Sequence, residues 1–161
     1  MKELLSKLSS YNIFNYLLPG VVFVGIAPLV SGVSLVHENL LIGAFLYYFI
    51  GLVISRVGSL VIEPALKKFR VVRFVDYRDF VAASKQDEKL EVLSEANNTY
   101  RTLSSMCLLL IALRIYGWLG TRVTFIAEWG PEILLLLLLV MFIVSYRKQT
   151  NYVVQRVDAN K

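Results

Sequence analysis

The chain is poor in the residues that most chemistry needs. It has one cysteine and one histidine among 161 residues, and only 18% of its residues are charged. A lone Cys107 excludes an intrachain disulfide and any Cys-x-x-Cys metal or redox pair. A lone His37, at the end of an apolar run, reads as an interfacial polar residue, with pH sensing as the lesser alternative. The sequence contains no Gly-x-Ser-x-Gly elbow, no Walker loop and no His-Glu-x-x-His helix. Its closely spaced acid pair, Asp76 and Asp79, stands among lysines and arginines whose charge it balances. No cofactor or metal is implied, and the chain does not read as an enzyme.

What is present is apolar sequence in long blocks. Hydrophobic residues make up 57% of the chain, and the charged share falls below the ~25% usual for soluble domains. Leu8 to Val36 is 29 residues without Lys, Arg, Asp or Glu. As a helix that run would rise roughly 43 Å, more than the ~30 Å hydrocarbon core requires. It is too long for a signal-peptide core and no Ala-x-Ala site closes it, so it reads as an uncleaved signal anchor.

The expected fold is an all-α integral membrane protein, a single membrane domain over residues 1–161 with four transmembrane helices. The spans fall at about 14–36, 40–62, 102–119 and 133–146, with a cytoplasmic helical segment, 65–101, between spans 2 and 3. Met1 to Ser10 is amphipathic, with Leu4, Leu5 and Leu8 opposite Lys2, Glu3 and Lys7, and suits the headgroup plane. Pro19-Gly20 predicts a kink or a helix start. His37 to Asn39 predicts a very short turn, and Glu63-Pro64 a helix end. Ser84 with Asp87 resembles a capping box. The spacing of Leu90, Leu93, Ala96, Tyr100 and Leu103 predicts one helix running into the third span. Gly117 to Pro131 predicts an outer loop. Ala44, Gly51, Ser55, Gly58 and Ser59 put small residues on one stripe of the second span, suited to close packing within the subunit or between subunits.

Charge asymmetry orients the spans. With the N-terminus inside, inner segments hold 15 of the 17 basic residues, and only Arg114 and Arg122 fall outside. That is the positive-inside pattern, with N- and C-termini cytoplasmic.

Two constellations are candidate sites. The first is Lys67, Lys68, Arg70, Arg73 and Arg78, just inside the membrane, interleaved with Phe69, Phe74, Tyr77 and Phe80. Such a patch suits anionic membrane lipid, or a nucleotide or single-stranded oligonucleotide held by arginine and aromatic stacking. The second is polar residues at membrane depth: Asn12, Asn15, Ser31 and Ser34 on the first span, and Asn97, Asn98, Thr99, Ser104 and Ser105 entering the third. Polar groups there face protein or water, so they either bridge helices or line a pore. Asn12, Asn15, Ser34 and, at an outer mouth, Glu38 are the pore-lining candidates.

Three stretches carry a resemblance: Leu8 to Gly20 (LSSYNIFNYLLPG), Gly51 to Arg56 (GLVISR) through Glu63-Pro64, and Leu93 to Arg101 (LSEANNTYR). Together they resemble small four-helix bacterial membrane proteins of anti-phage defence loci, among them the Hailong-type channel effectors. The resemblance covers the chain up to about residue 115 and carries over no site residues. It implies a homo-oligomeric channel of the inner membrane, with a tetramer the first expectation, gated by a nucleic-acid ligand and growth-arresting when open. A nucleotidyltransferase encoded nearby would make that ligand. The competing class is a non-channel membrane anchor or scaffold that recruits a cytoplasmic partner through residues 65–101.

Overall fold

The computed structural model describes residues 12–159; the amphipathic segment expected at Met1 to Ser10 lies outside them. Five helices follow in order: α1 (Ile13–Ser31), α2 (Leu40–Lys68), α3 (Tyr77–Ser84), α4 (Lys89–Gly120) and α5 (Thr124–Asp158). No strand occurs among the described residues. α1, α2, α4 and α5 are each long and apolar enough to cross a membrane.

Both α1 and α2 contain a wide turn placed just before a proline. In α1, Leu18 N–H closes on the Ile13 carbonyl immediately ahead of Pro19. In α2, Glu63 N–H closes on the Gly58 carbonyl immediately ahead of Pro64. A proline has no N–H for the carbonyl four residues back, and its ring crowds that turn. Widening to an i→i+5 bond accommodates both problems without breaking the helix. The helix end expected at Glu63-Pro64 is therefore corrected, because α2 runs through Pro64 to Lys68.

Other boundaries also differ from the sequence reading. The first helix stops at Ser31, not at residue 36. Gly32 takes φ 75°, a left-handed conformation open to glycine, and its N–H caps the Pro28 carbonyl. Residues 33–37 are an irregular connection, and Asn39 caps α2 by accepting from the N–H groups of Leu41 and Ile42. The fourth helix extends far beyond 133–146 in both directions. Its early turns carry Phe125, Trp129 and Ile133 at four-residue spacing, so the expected outer loop shrinks to residues 121–123. The Ser84–Asp87 capping box is also wrong. Ser84 ends α3 with its hydroxyl donating to the Val81 carbonyl, and Asp87 accepts instead from Lys89 N–H. Asp76 is the residue that caps α3. The long helix expected to lead into the third span is present as the 32 residues of α4.

α1, α2 and α4 enclose the core, built on Phe23, Ala27, Ile54, Met106 and Leu110. α1 and α2 meet backbone to backbone. A Cβ on Gly20 would collide with the Tyr47 carbonyl, and one on Gly51 with that of Tyr16. Further along α2 the small residues turn to α4: Gly58 lies against Arg101 and Ser105, and Ser105 Oγ donates to the Ile54 carbonyl at 2.8 Å. From Gly51 onward the stripe packs within the subunit. α5 joins this core more loosely, with 11% of its most apolar stretch buried against 28% for α1.

Candidate functional site

A charged cluster closes one end of the bundle. Glu63, 6% exposed, projects from α2 at its wide turn. Three cations converge on its carboxylate: Lys67 Nζ at 3.0 Å from Oε1, Arg101 Nη1 at 2.7 Å from Oε2, and Lys148 Nζ at 3.5 Å from Oε1. Lys67 lies one turn on along α2, while Arg101 and Lys148 come from α4 and α5. Lys148 also donates to the carbonyl and the hydroxyl of Ser59, both at 2.8 Å. One carboxylate thus ties three helices together through charge-assisted bonds, which are shorter and stronger than neutral ones.

A polar layer continues inward from the cluster. Thr102 Oγ1 donates to Ser55 Oγ at 3.4 Å. Arg56 reaches Tyr16 Oη at 3.3 Å, and the Tyr16 ring meets Tyr48 edge-on at 5.5 Å. These groups satisfy one another between the helices, as they must if α1, α2 and α4 cross a bilayer.

The basic candidates divide. Lys67 belongs to the Glu63 cluster and also lies 3.9 Å from the centre of the Phe74 ring. Lys68, Arg70, Arg73 and Arg78 are exposed and form no ion pair among the described residues. They occupy the end of α2, the connector 69–76 and the start of α3. Arg70 sits in the left-handed region at φ 58°. It closes α2 with two bonds, its own N–H to the Lys67 carbonyl and Val71 N–H to the Leu66 carbonyl. Glycine is the usual residue there, and a side chain costs about 1 kcal/mol. The Phe69 and Phe74 rings beside these cations are 75% and 59% exposed.

The pore-lining candidates are not brought together. Asn15 is buried within the subunit at 2% exposure. Asn12 is half-buried just ahead of α1, while Ser34 and Glu38 are exposed in the α1–α2 connection. His37 is held in that connection, its N–H donating to Tyr47 Oη and its Nδ1 accepting from Asn39 N–H. Ser31 Oγ donates to the Ala27 carbonyl. Among the described residues no group of acids, His and Cys could hold a metal ion.

Sequence reasoning passed over Glu63, Arg101 and Lys148 as a unit. One signal was available. Glu63 is the sole acidic residue between Glu38 and Asp76, and Arg101 and Lys148 each stand at the border of an apolar run. No known protein family, curated protein or solved structure matches the chain.

Proposed function

We propose that the chain is a multi-pass bacterial inner-membrane protein, both ends cytoplasmic, that assembles into an oligomeric channel serving anti-phage defence. A nucleotide or oligonucleotide bound at the basic connector controls its opening. The observation that carries this reading is the state of the connector cations. Lys68, Arg70, Arg73 and Arg78 are exposed without carboxylate partners among the described residues, beside exposed aromatic rings. A polyanion with stackable bases supplies both the missing charge and a surface for the rings. The connector joins α2 to α3, the short helix that precedes α4, and Lys67, two residues before it, belongs to the cluster joining α2, α4 and α5. Binding there biases helix arrangement if one arrangement binds more tightly.

The centre of the subunit is filled, with Ala27 at 0% and Ile54 at 1% exposure. An ion path therefore runs between subunits, which supports a homo-oligomer, with a tetramer the first expectation. The second reading is an anchor or scaffold, and exposed Val71 and Val75 among the connector arginines favour it, since such a surface suits a partner or a bilayer.

The test is binding of a short single-stranded DNA to purified protein in nanodiscs of neutral lipid. Wild type binds, and Arg70→Ala/Arg73→Ala/Arg78→Ala loses at least tenfold in affinity. Affinity falls steeply with salt, because phosphate contacts release counterions. No binding by either protein, or equal binding by both, sinks the oligonucleotide reading and leaves the anchor.

A further inference from the structure

The cluster around Glu63 holds more positive than negative charge. Three cations meet one carboxylate, and no other carboxylate among the described residues lies within 4.0 Å of any of them. The cations are not simply bathed in water. The side chains of Arg101 and Lys148 are 21% and 27% exposed, while that of Lys67 is 43% exposed. Arg101 Nε is buried and meets no hydrogen-bond acceptor among the described residues. Desolvated cations in excess of their counter-charges are costly, and a buried guanidinium N–H without an acceptor adds to that cost.

We propose that Arg101, Lys148 and Lys67 form a binding site for a phosphate group, supplied by a phospholipid headgroup or by a free phosphate. Glu63 organises the three cations and leaves two positive charges in excess, which a phosphate dianion neutralises and a monoanion halves. Arg101 presents a fork of donors suited to phosphate oxygens, and Lys148 and Lys67 add mobile point charges. The cluster stands where the apolar runs of α2 and α5 give way to charged sequence, the level of a bilayer's phosphates if those helices span one. The site shares only Lys67 with the oligonucleotide patch and does not depend on that reading.

The purified full-length protein in neutral detergent micelles provides the test, with melting temperature as the readout. Phosphatidylglycerol is compared with phosphatidylcholine, and inorganic phosphate with chloride at matched ionic strength. Near saturation the site predicts a rise of roughly 5 °C with phosphatidylglycerol or inorganic phosphate, and none with phosphatidylcholine or chloride. A rise with phosphatidylglycerol alone assigns a headgroup; a rise with inorganic phosphate, alone or as well, assigns a free phosphate. Arg101→Gln and Lys148→Met each lose more than half of the rise, while Arg70→Ala/Arg73→Ala/Arg78→Ala keeps it. Should either cation variant fail to fold, Glu63→Gln decides. It removes the internal counter-charge, so its melting temperature rises more than that of wild type on adding the anion. The proposal is overturned by no rise in wild type, by an undiminished rise in folded Arg101→Gln and Lys148→Met, by loss of the rise in the connector triple variant, or by a Glu63→Gln rise no larger than that of wild type. The triple variant keeping this rise while losing single-stranded DNA would separate the two sites.

Discussion

Glu63 shows how one side chain can carry the end of a bundle. Its carboxylate is nearly buried and its three partners come from three helices, so a neutral isostere leaves converging cations without a counter-charge. Breaking a buried pair by removing one partner is strongly destabilising, while partial exposure of the cations moderates the cost. Glu63→Gln should lose on the order of 2 kcal/mol of stability in neutral detergent, measured by chemical denaturation. Glu63→Asp, one methylene shorter, should recover only part of it. At Arg70 the expected sign is opposite. Its left-handed backbone, φ 58°, favours glycine, so Arg70→Gly should raise stability by about 1 kcal/mol and weaken single-stranded DNA binding in the same preparation. A gain in stability with unchanged binding would make Arg70 a strained residue without a ligand. The basic residues were legible in the sequence as a charge run. Their division between a tied Lys67 and exposed neighbours was not, because it depends on Arg101 and Lys148, distant in sequence, arriving at Glu63.

At the scale of helices, length and apolarity were legible and boundaries less so. The four apolar helices and the unbroken α4 follow from long runs and three- to four-residue spacing. Pro64 misled, since it follows a wide turn that keeps the chain helical, and Pro131, expected in an outer loop, sits inside α5. Gly32 and Asn39 are sharper signals, a left-handed stop and a side-chain cap, and they set the true edges of the α1–α2 connection. Distant contacts are what the run lengths cannot encode. α5 is the least buried of the apolar helices and meets the rest through scattered contacts: Tyr116 against Gly130, Phe49 near Phe142 at 6.2 Å, Tyr77 near Tyr152 at 6.0 Å, and Lys148 on Ser59 and Glu63. Lys148 supplies its charged tie. Lys148→Met should therefore speed amide exchange along α5, most of all over residues 140–158, and leave α1 and the core-facing half of α2 unchanged. Uniform acceleration across all helices would show instead that α5 and the core open as one unit.

For the whole molecule, a basic asymmetry of 15 to 2 predicts orientation. Reporter fusions at residue 38 and near residue 122 should read as periplasmic, and fusions at residue 85 and at the C-terminus as cytoplasmic. The C-terminal end of α2, the middle of α4 and Lys148 of α5 meet at one level around Glu63, while the connections at 32–39 and 121–123 both adjoin helix ends away from Glu63, so residues 38 and 122 should report the same side. A cytoplasmic signal at residue 38 would remove the connector from the side where a cytoplasmic oligonucleotide could reach it. The central claim is conduction between subunits under control of an anion at that connector. Its most direct measurement is current across a planar bilayer holding purified protein, recorded as short single-stranded DNA is added to one side. The account predicts discrete conductance steps whose open fraction changes with DNA on the connector side only, and a response at least tenfold weaker in Arg70→Ala/Arg73→Ala/Arg78→Ala. Silent bilayers at every DNA concentration, with the protein shown to be inserted and oligomeric, would contradict it.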